Sequence, residues 1–235
     1  MKLYVPALAG ALLLAACGKS EPPPTPPSES AEAPPEIPVM GREMRILALG
    51  DSLFAGYGLK SDQSYPARLE AALRARGINA RIANAGVSGN TTADGLARLA
   101  FTLDNQKPPP DLALIELGAN DMLRALPPEQ ARANLDAILA ELGRRGIPVV
   151  LMGMLAPPNL GAEYRRAFDA IYPALAKKHG AVLVPFFLQA VMDRPDLVQE
   201  DRLHPTEHGI DAIVAATIDE VAAAVPKPTA PLPPR

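Results

Sequence analysis

Three side chains of this sequence form a set that can carry out nucleophilic attack on a carbonyl carbon. Ser52 lies in the tetrapeptide Gly-Asp-Ser-Leu, directly after the apolar run 45–49, and Asp201 and His204 share one short loop near the end of the folded region. A serine hydroxyl attacks a carbonyl only if an imidazole removes its proton and a third group holds that imidazole in the right tautomer. The sequence thus offers a nucleophile, a base and an orienting carboxylate.

Each of these residues also has a purely structural interpretation. Asp51 and Ser52 are residue types that cap helices, and a lone histidine is usually a solvated or satisfied side chain. The position of Asp201 three residues before His204 favours the chemical interpretation, because one tight loop can then present both groups. We expect His208, four residues further on, to be a surface residue near the site rather than a second base.

Two loops rich in glycine and asparagine offer hydrogen-bond donors for the oxyanion that forms during acyl transfer. The loop 84–90 contains Gly86, whose backbone N–H can approach a ligand because no side chain intervenes. The loop 118–121 contains Asn120, whose side-chain amide is a donor. The alternative for both loops is ordinary turn chemistry, in which glycine, asparagine and aspartate are the common residues.

Composition and spacing argue against a metal and a nucleic-acid partner. The sole cysteine, Cys17, lies outside the predicted domain, and no histidine pair combines a helical ligand spacing with a glutamate base. The formal net charge of −3, with both signs interspersed, gives no basic stripe, and the chain has no tryptophan on which bases could stack. We therefore expect no metal and no nucleic acid.

Short apolar runs alternate with helical patterns along the chain. The runs are too short for helices and are bounded by glycine, proline or asparagine, which predicts strands at 45–49, 80–83, 111–117, 147–152 and 181–184. The helical patterns predict helices at 65–76, 92–103, 129–145, 163–179 and 206–224. Thr206 is the expected N-cap of the last helix.

This alternation predicts one α/β domain. Parallel strands need crossover connections, which are nearly always right-handed, so the expected fold is a three-layer α/β/α sandwich with a five-stranded parallel sheet. Ligands of such sheets bind beyond the carboxyl ends of the strands. Ser52 and the loops 84–90 and 118–121 follow predicted strands, and His204 precedes the last helix.

In chain order, Ser52, Gly86, Asn120 and His204, the last together with Asp201, resemble the four sequence blocks of the GDSL or SGNH hydrolases. The similarity extends to longer segments, namely 50–59, 84–99, 114–124, 153–164, 171–175 and 185–188. These segments look like the group of multifunctional acyl-CoA thioesterases, lysophospholipases and arylesterases within that family. The resemblance implies the flavodoxin-like SGNH fold, in agreement with the order of elements.

The resemblance also implies a role for each residue. Ser52 is then the nucleophile, His204 the general base and Asp201 the residue that orients it. The oxyanion hole consists of the Ser52 N–H, the Gly86 N–H and the Asn120 side chain. The implied function is a serine esterase that hydrolyses carboxylic esters and thioesters of acyl substrates through an acyl-enzyme. The resemblance thus implies a small-molecule substrate and no cofactor. The alternatives are a carbohydrate O-acetyl esterase and a non-catalytic lipoprotein that binds lipid or glycan in the same groove.

Three positions depart from the pattern of the family. Asn90 stands where relatives often have aspartate, Ala119 where many have glycine, and Arg202 where a glycine is frequent. None removes a catalytic group, although Arg202 is expected to narrow or charge the entrance of the site. Glu116, at the end of a buried strand, either braces the loop that follows it or is only structural. The segment 156–164 is expected to form one wall of the substrate pocket.

The two ends of the chain differ in composition from its middle. Residues 1–16 have the proportions of a signal peptide, and the sequence Leu-Ala-Ala-Cys that ends at Cys17 resembles a bacterial lipoprotein box. The alternative is an ordinary secretory signal with an incidental cysteine. Residues 17–39 then form a Pro-rich tether, 40–225 the SGNH hydrolase domain and 226–235 a Pro-rich tail.

Lipidation at Cys17 implies a place in the bacterial cell envelope. Gly18, directly after the cysteine, favours sorting to the outer membrane, and we expect the domain to face the periplasm. The expected assembly is a monomer that contacts the membrane through its N-terminal lipid.

Overall fold

The computed structural model describes residue 39 and residues 41–226. The chain divides into Met1–Ile37 and Pro38–Arg235, and the folded domain belongs to the second unit. The predicted signal peptide, the lipidated Cys17, the tether apart from residue 39 and the tail beyond residue 226 lie outside the described residues. Among the helices of the described residues, none has the length and apolar character needed to cross a membrane.

A single parallel sheet organises the domain. Its five strands are β1 Met44–Gly50, β2 Ala80–Gly86, β3 Leu112–Glu116, β4 Val149–Met152 and β5 Val182–Val184, in the order β2-β1-β3-β4-β5. Nearly every residue of β1, β3 and β4 is buried, because helices cover both faces of a parallel sheet. The predicted five-stranded sheet is confirmed, and its order is that of flavodoxin-like folds.

Eight α-helices lie within the described residues: α1 Ser52–Ala55, α2 Tyr65–Ala75, α3 Thr92–Asp104, α4 Ala119–Leu123, α5 Pro128–Arg144, α6 Ala162–Asp169, α7 Ile171–His179 and α8 Glu207–Ala224. Four of the five predicted helices correspond to α2, α3, α5 and α8, with ends that differ by one residue. Thr206 is the N-cap of α8, since its hydroxyl accepts a hydrogen bond from the Gly209 N–H at 3.1 Å. The short helices α1 and α4 were not predicted.

The prediction of one continuous helix over 163–179 is wrong, because α6 ends at Asp169 and α7 begins at Ile171. Pro173 provides the physical reason. It has no N–H to donate to the carbonyl of Asp169 four residues earlier, and its ring would clash with that carbonyl. A proline is tolerated in the first turn of a helix, where it lies in α7.

The connections between strands create the cleft in which a ligand would bind. α2 packs against α8, whereas α3 packs against α5 and α5 against α7. The crossover from β1 to β2 and the crossover from β2 to β3 run in opposite directions, so right-handed connections place α2 and α3 on opposite faces. The strand order therefore reverses between β1 and β3, and ligands bind at the carboxyl ends of such strands. Ser52 lies two residues after the end of β1 at this point, and Asn120 lies shortly after β3.

Candidate active site

The structure brings together the three residues predicted to act on a carbonyl. The Ser52 hydroxyl lies 2.8 Å from His204 Nε2, and His204 Nδ1 lies 2.6 Å from Asp201 Oδ2. Each imidazole nitrogen therefore has one partner. A carboxylate at Nδ1 holds the proton there and leaves Nε2 free to accept the serine proton. This arrangement can activate a serine hydroxyl for attack.

Ser52 owes its position to the contacts of α1, of which it is the first residue. Phe54 is fully buried and stacks on Tyr65 of α2 with ring centroids 5.3 Å apart, and the edge of the Phe187 ring meets it at 5.7 Å. Asn84 Nδ2 also donates to the Phe54 carbonyl at 2.8 Å. Because these contacts fix the inner side of α1, the Ser52 side chain is held at the rim of the sheet.

Asp201 is ionised and holds its loop as well as the imidazole. Its Oδ1 accepts hydrogen bonds from the N–H groups of Leu203 and His204, at 2.9 and 3.0 Å. Partial burial alone would raise the pKa of Asp201, but the bonds from the His204 ring and from these two N–H groups lower the pKa to about 2. These bonds therefore stabilise the folded state. Their contribution is fully present above the ordinary aspartate pKa of about 3.9 and is lost as the pH falls through the lowered pKa of about 2.

Two residues that sequence reasoning missed hold His204 against the nucleophile. The Tyr57 ring lies over the imidazole, with centroids 4.4 Å apart. Gln199 Nε2 donates to the Tyr57 carbonyl at 2.8 Å and to the Pro205 carbonyl at 2.9 Å, so one amide joins the Ser52 loop to the His204 loop. The Gln199 N–H also donates to the His204 carbonyl at 2.7 Å. No sequence signal marks such an amide, because its partners are backbone carbonyls.

Replacing Gln199 with leucine is expected to lower kcat about 10-fold while KM changes little, since the loss of a positioning contact misplaces the base relative to the nucleophile. Steady-state hydrolysis of a chromogenic ester measures this. Gln189→Leu is the matched control, because Gln189 is an exposed glutamine outside the contacts that join the two loops. A Gln199→Leu variant with wild-type kcat would contradict the proposed link.

Asn120, the predicted amide donor, lies beside the nucleophile. Its Nδ2 donates to Asp51 Oδ2 and to the Asn90 carbonyl, both at 3.0 Å. Asn90, which replaces the frequent aspartate, accepts a hydrogen bond from Arg98 Nε at 2.8 Å, and Arg98 Nη2 donates to the Gly50 carbonyl at 2.9 Å. The orientation of the Asn120 amide is thus set by an acid on one side and by a braced loop on the other.

Gly86, predicted to donate its N–H to an oxyanion, has a different use in this structure. Its N–H donates to Asn84 Oδ1 at 2.9 Å. A Cβ at this position would lie 2.3 Å from the Ala55 nitrogen, so glycine is needed for the close approach of β2 to α1. Gly89, three residues later, has a φ of +82°, and its N–H has no hydrogen-bond partner within residues 41–226. The Gly89 N–H is therefore a free backbone donor of this loop, as is the Ser88 N–H, which also has no hydrogen-bond partner within residues 41–226.

Two buried acids, Asp51 and Glu116, lie directly beneath Ser52. Both are 0% exposed, and the Asp51 N–H donates to Glu116 Oε2 at 3.2 Å. Burial raises the pKa of Asp51, although hydrogen bonds from Leu53 and Asn120 oppose the rise. Burial and the neighbouring Asp51 charge raise the pKa of Glu116 well above its usual range. Glu116 therefore contacts the nucleophile loop, which sequence analysis had left undecided.

A cleft of about 840 Å³ opens beside the loop of Asp201 and His204. Its lining combines apolar side chains with a few charged ones and includes Phe186, Leu188, Met192, Arg194, Arg202 and Leu203. Met192 and Leu203 are each 49% exposed, so this cleft offers apolar surface. Arg202 also lines this cleft, and its φ of +59° explains why a glycine suits the position.

The other two histidines do not join this group. His179 Nε2 lies 2.6 Å from Asp136 Oδ1 at the end of α7, and His208 is exposed in the first turn of α8. No group of three or more histidine, cysteine, aspartate or glutamate residues in the described part of the chain could hold a metal ion.

The sequence matches known hydrolases over most of the domain. A profile of the GDSL-like lipase/acylhydrolase family matches residues 48–212. An arylesterase of Vibrio mimicus is 44% identical over 161 residues, which cover 68% of this chain and 80% of the arylesterase. The thioesterase 1/protease 1/lysophospholipase L1 of Escherichia coli strain K12 is 39% identical over 160 residues, or 68% of this chain and 74% of that enzyme.

Solved structures agree with these matches. AlinE4, an SGNH-hydrolase family esterase, superposes with a TM-score of 0.68 at 63% identity, covering 80% of this chain and 100% of that one. The crystal structure of TesA superposes with a TM-score of 0.71 at 36% identity, covering 76% of this chain and 98% of that one.

Proposed function

Since the chain belongs to the GDSL-like lipase/acylhydrolase family and is an enzyme of the GDSL/SGNH hydrolase type, we propose that it is a serine esterase that forms an acyl-enzyme on Ser52. The observation that carries the proposal is the 2.8 Å hydrogen bond between the Ser52 hydroxyl and His204 Nε2, with Asp201 at the opposite ring nitrogen. Such a relay activates a hydroxyl that is otherwise a weak nucleophile.

The reaction proceeds in two halves. In the first, Ser52 Oγ attacks the carbonyl carbon while His204 Nε2 takes the serine proton. The imidazolium then gives that proton to the departing alcohol or thiol, and the acyl group stays on Ser52 as an ester. In the second half, His204 takes a proton from water, the hydroxide attacks the acyl-enzyme, and the proton returns to Ser52. Asp201 stabilises the imidazolium in both halves, and the proposal requires no metal or cofactor.

The proposed oxyanion donors are the Ser52 N–H, the Asn120 side chain and the Gly89 N–H. Ser52 begins α1, so its N–H has no intrahelical partner. The second hydrogen of Asn120 Nδ2, which donates to the Asn90 carbonyl in the free enzyme, is available to the oxyanion once that bond is given up. Gly89 takes the place first assigned to Gly86, whose N–H already has an acceptor.

A crystal structure of the enzyme after reaction with diethyl p-nitrophenyl phosphate tests both parts of this proposal. We expect phosphorus on Ser52 Oγ and one phosphoryl oxygen about 3 Å from Asn120 Nδ2 and the Gly89 nitrogen, as oxyanion-hole donors require. Phosphorylation at another residue would contradict the nucleophile. A phosphoryl oxygen bound by the Gly86 nitrogen instead of Gly89 would restore the original assignment.

We propose acyl esters and thioesters as the substrate class, of the arylesterase, thioesterase and lysophospholipase type. The cleft beside His204 supports this, because Met192, Leu203 and Phe186 offer apolar contact to an acyl chain. Each methylene buried in such a pocket adds about 0.8 kcal/mol, so affinity should rise with chain length until the cleft is filled.

A panel of p-nitrophenyl esters from acetyl to dodecanoyl, together with acyl thioesters, a lysophospholipid and an acetylated sugar, tests the substrate class. We expect kcat/KM to rise from acetyl to medium chains. A strict preference for acetyl groups with turnover of the acetylated sugar would favour the carbohydrate O-acetyl esterase. An absence of turnover and of fluorophosphonate labelling would favour a non-catalytic binding lipoprotein.

We further propose that Cys17 is lipidated and anchors a monomeric domain to the outer membrane, facing the periplasm. The support is the lipoprotein-like box and the Pro-rich segment 17–39, which at about 3.1 Å per residue can act as an extended spacer. Palmitate labelling and membrane fractionation test this. The label should appear in the wild type and disappear in Cys17→Ala, and equal labelling of both would contradict the anchor.

A further inference from the structure

The buried acid pair beneath the nucleophile has no part in the proton relay described above. Asp51 directly precedes Ser52, and Glu116 ends β3, the strand that pairs with β1 through the register Gly50 to Glu116. The carboxyl groups of Asp51 and Glu116 are neighbours, and both residues are fully buried. Two carboxylates this close cannot both be ionised at low dielectric, so the pair holds one proton.

The hydrogen-bond partners decide which acid holds that proton. The Asp51 carboxylate accepts from the Leu53 N–H and from Asn120 Nδ2, both at 3.0 Å. Glu116 accepts one bond, from the Asp51 N–H, and its Oε1 has no partner among the described residues. Donors stabilise the charged form of an acid, so the charge belongs on Asp51. A proton on Glu116 supplies Asp51 with a third donor.

We propose that Glu116 is a positioning residue that stays protonated and donates to Asp51, so that the single charge of the pair fixes Asn120 as a hydrogen donor toward the reacting carbonyl. The inference rests on the proposed esterase function, in which Asn120 faces the oxyanion. A carboxamide can turn either end toward a ligand. Because Asp51 Oδ2 is an anionic acceptor, only the Nδ2 end of the Asn120 carboxamide can face Asp51. The Asn120 carbonyl oxygen is therefore kept away from the developing negative charge.

The surroundings of the pair favour one negative charge and no more. His204 faces Asp51 from the loop before α8, and Arg98 of α3 donates to the neighbouring Gly50 carbonyl. Tyr172 of α7 also faces the pair, but burial and the nearby acids raise its pKa well above the usual range, so it is neutral. The half-buried Arg98 guanidinium is thus a cation beside the pair, and it matches a single carboxylate.

Kinetics of three variants test the role of Glu116. Glu116→Gln reproduces the protonated acid, with one amide donor for Asp51 and one acceptor for its N–H. We expect the kcat of Glu116→Gln to lie within about threefold of wild type and its pH profile to be unchanged. Glu116→Leu should lose about 10- to 100-fold in kcat with little change in KM. A loss of this size is comparable with that caused by a weakened oxyanion donor. Asp51→Asn should lose as much or more. Glu70→Gln, which changes a partly buried acid on α2, is the matched control.

The protonation state is measured separately, by the ¹³C resonance of the Glu116 carboxyl in wild-type enzyme, assigned from Glu116→Gln. A neutral carboxyl across neutral pH is expected. Three results would each overturn the inference. The first is an ionised Glu116, and the second is an acid limb of the Glu116→Gln pH profile that is shifted to lower pH. The third is a Glu116→Leu variant with wild-type kcat. Fluorophosphonate labelling of wild-type enzyme reports on the esterase function independently of these results. If Glu116→Leu fails to fold, the resonance still decides the protonation state.

Discussion

Replacement of Ser52 by alanine is expected to lower kcat for ester hydrolysis by roughly 10⁵- to 10⁶-fold, as loss of the nucleophile does in other serine hydrolases. Without the hydroxyl, no acyl-enzyme forms, and His204 Nε2 loses the group 2.8 Å away from which it would take a proton. The remaining oxyanion donors can stabilise direct attack by water only weakly. The measurement is p-nitrophenyl butyrate hydrolysis by purified protein, together with labelling by a fluorophosphonate probe, which should disappear.

The fold should survive this change. Ser52 is the first residue of α1, and the helix is held by the buried Phe54 rather than by the serine hydroxyl. Thermal unfolding should therefore stay close to that of the wild type. Ser61→Ala is the matched control, because Ser61 is an exposed serine outside the site. Turnover by Ser52→Ala at more than a trace level, or continued labelling, would show that another residue is the nucleophile.

The strands of this domain could be predicted because burial on both faces leaves a simple pattern. β3 lies between two covered faces, so Leu112 to Glu116 are all buried and the sequence is continuously apolar up to the glutamate. Once five strands alternate with helices, right-handed crossovers restrict the topology. The sequence therefore also placed Ser52 and the Asn120 loop at the same edge of the sheet.

Backbone contacts over long range were harder to predict. Gly86 and Gly89 lie three residues apart in one loop, and both are glycines beside the site. The sequence does not reveal that the Asn84 side chain takes the Gly86 N–H, or that Ala55 approaches Gly86 closely. Gln199 was missed for the same reason, because its amide binds backbone carbonyls of segments distant in sequence. Such partners depend on how loops pack, which no local pattern encodes.

The wall of the substrate pocket stays a prediction. The segment 156–164 is expected to form one wall, on the basis of its prolines and glycine. The cleft between Phe186 and Leu203 is lined neither by this segment nor by Ser52 or His204. Ala156 itself is buried, and its N–H donates to Asp169 Oδ1 at 2.8 Å. Because loop conformation determines which side chains face the acyl chain, the composition of a loop does not identify the pocket wall.

Replacement of Asp201 by asparagine is expected to lower kcat by roughly 10²- to 10⁴-fold, a range set by the loss of tautomer control. The asparagine oxygen can still accept from the Leu203 and His204 N–H groups, so the loop should keep its shape. Its NH₂ group would then face His204 Nδ1, 2.6 Å away in the wild type, and would favour the tautomer with the proton on Nε2. That nitrogen could no longer accept the Ser52 proton.

A surface acid separates this effect from simple loss of charge. Asp201 has its pKa lowered to about 2, so the wild-type carboxylate is ionised throughout the working range. Asp201→Asn removes that charge from the imidazole, and we expect the plateau of kcat against pH to fall. Asp196→Asn, which breaks an exposed pair with Arg194, should leave the plateau unchanged, because such pairs contribute only about 0–1 kcal/mol. An unchanged plateau in Asp201→Asn would show that the Ser52–His204 pair is sufficient for catalysis, because the tautomer would then be set without the carboxylate.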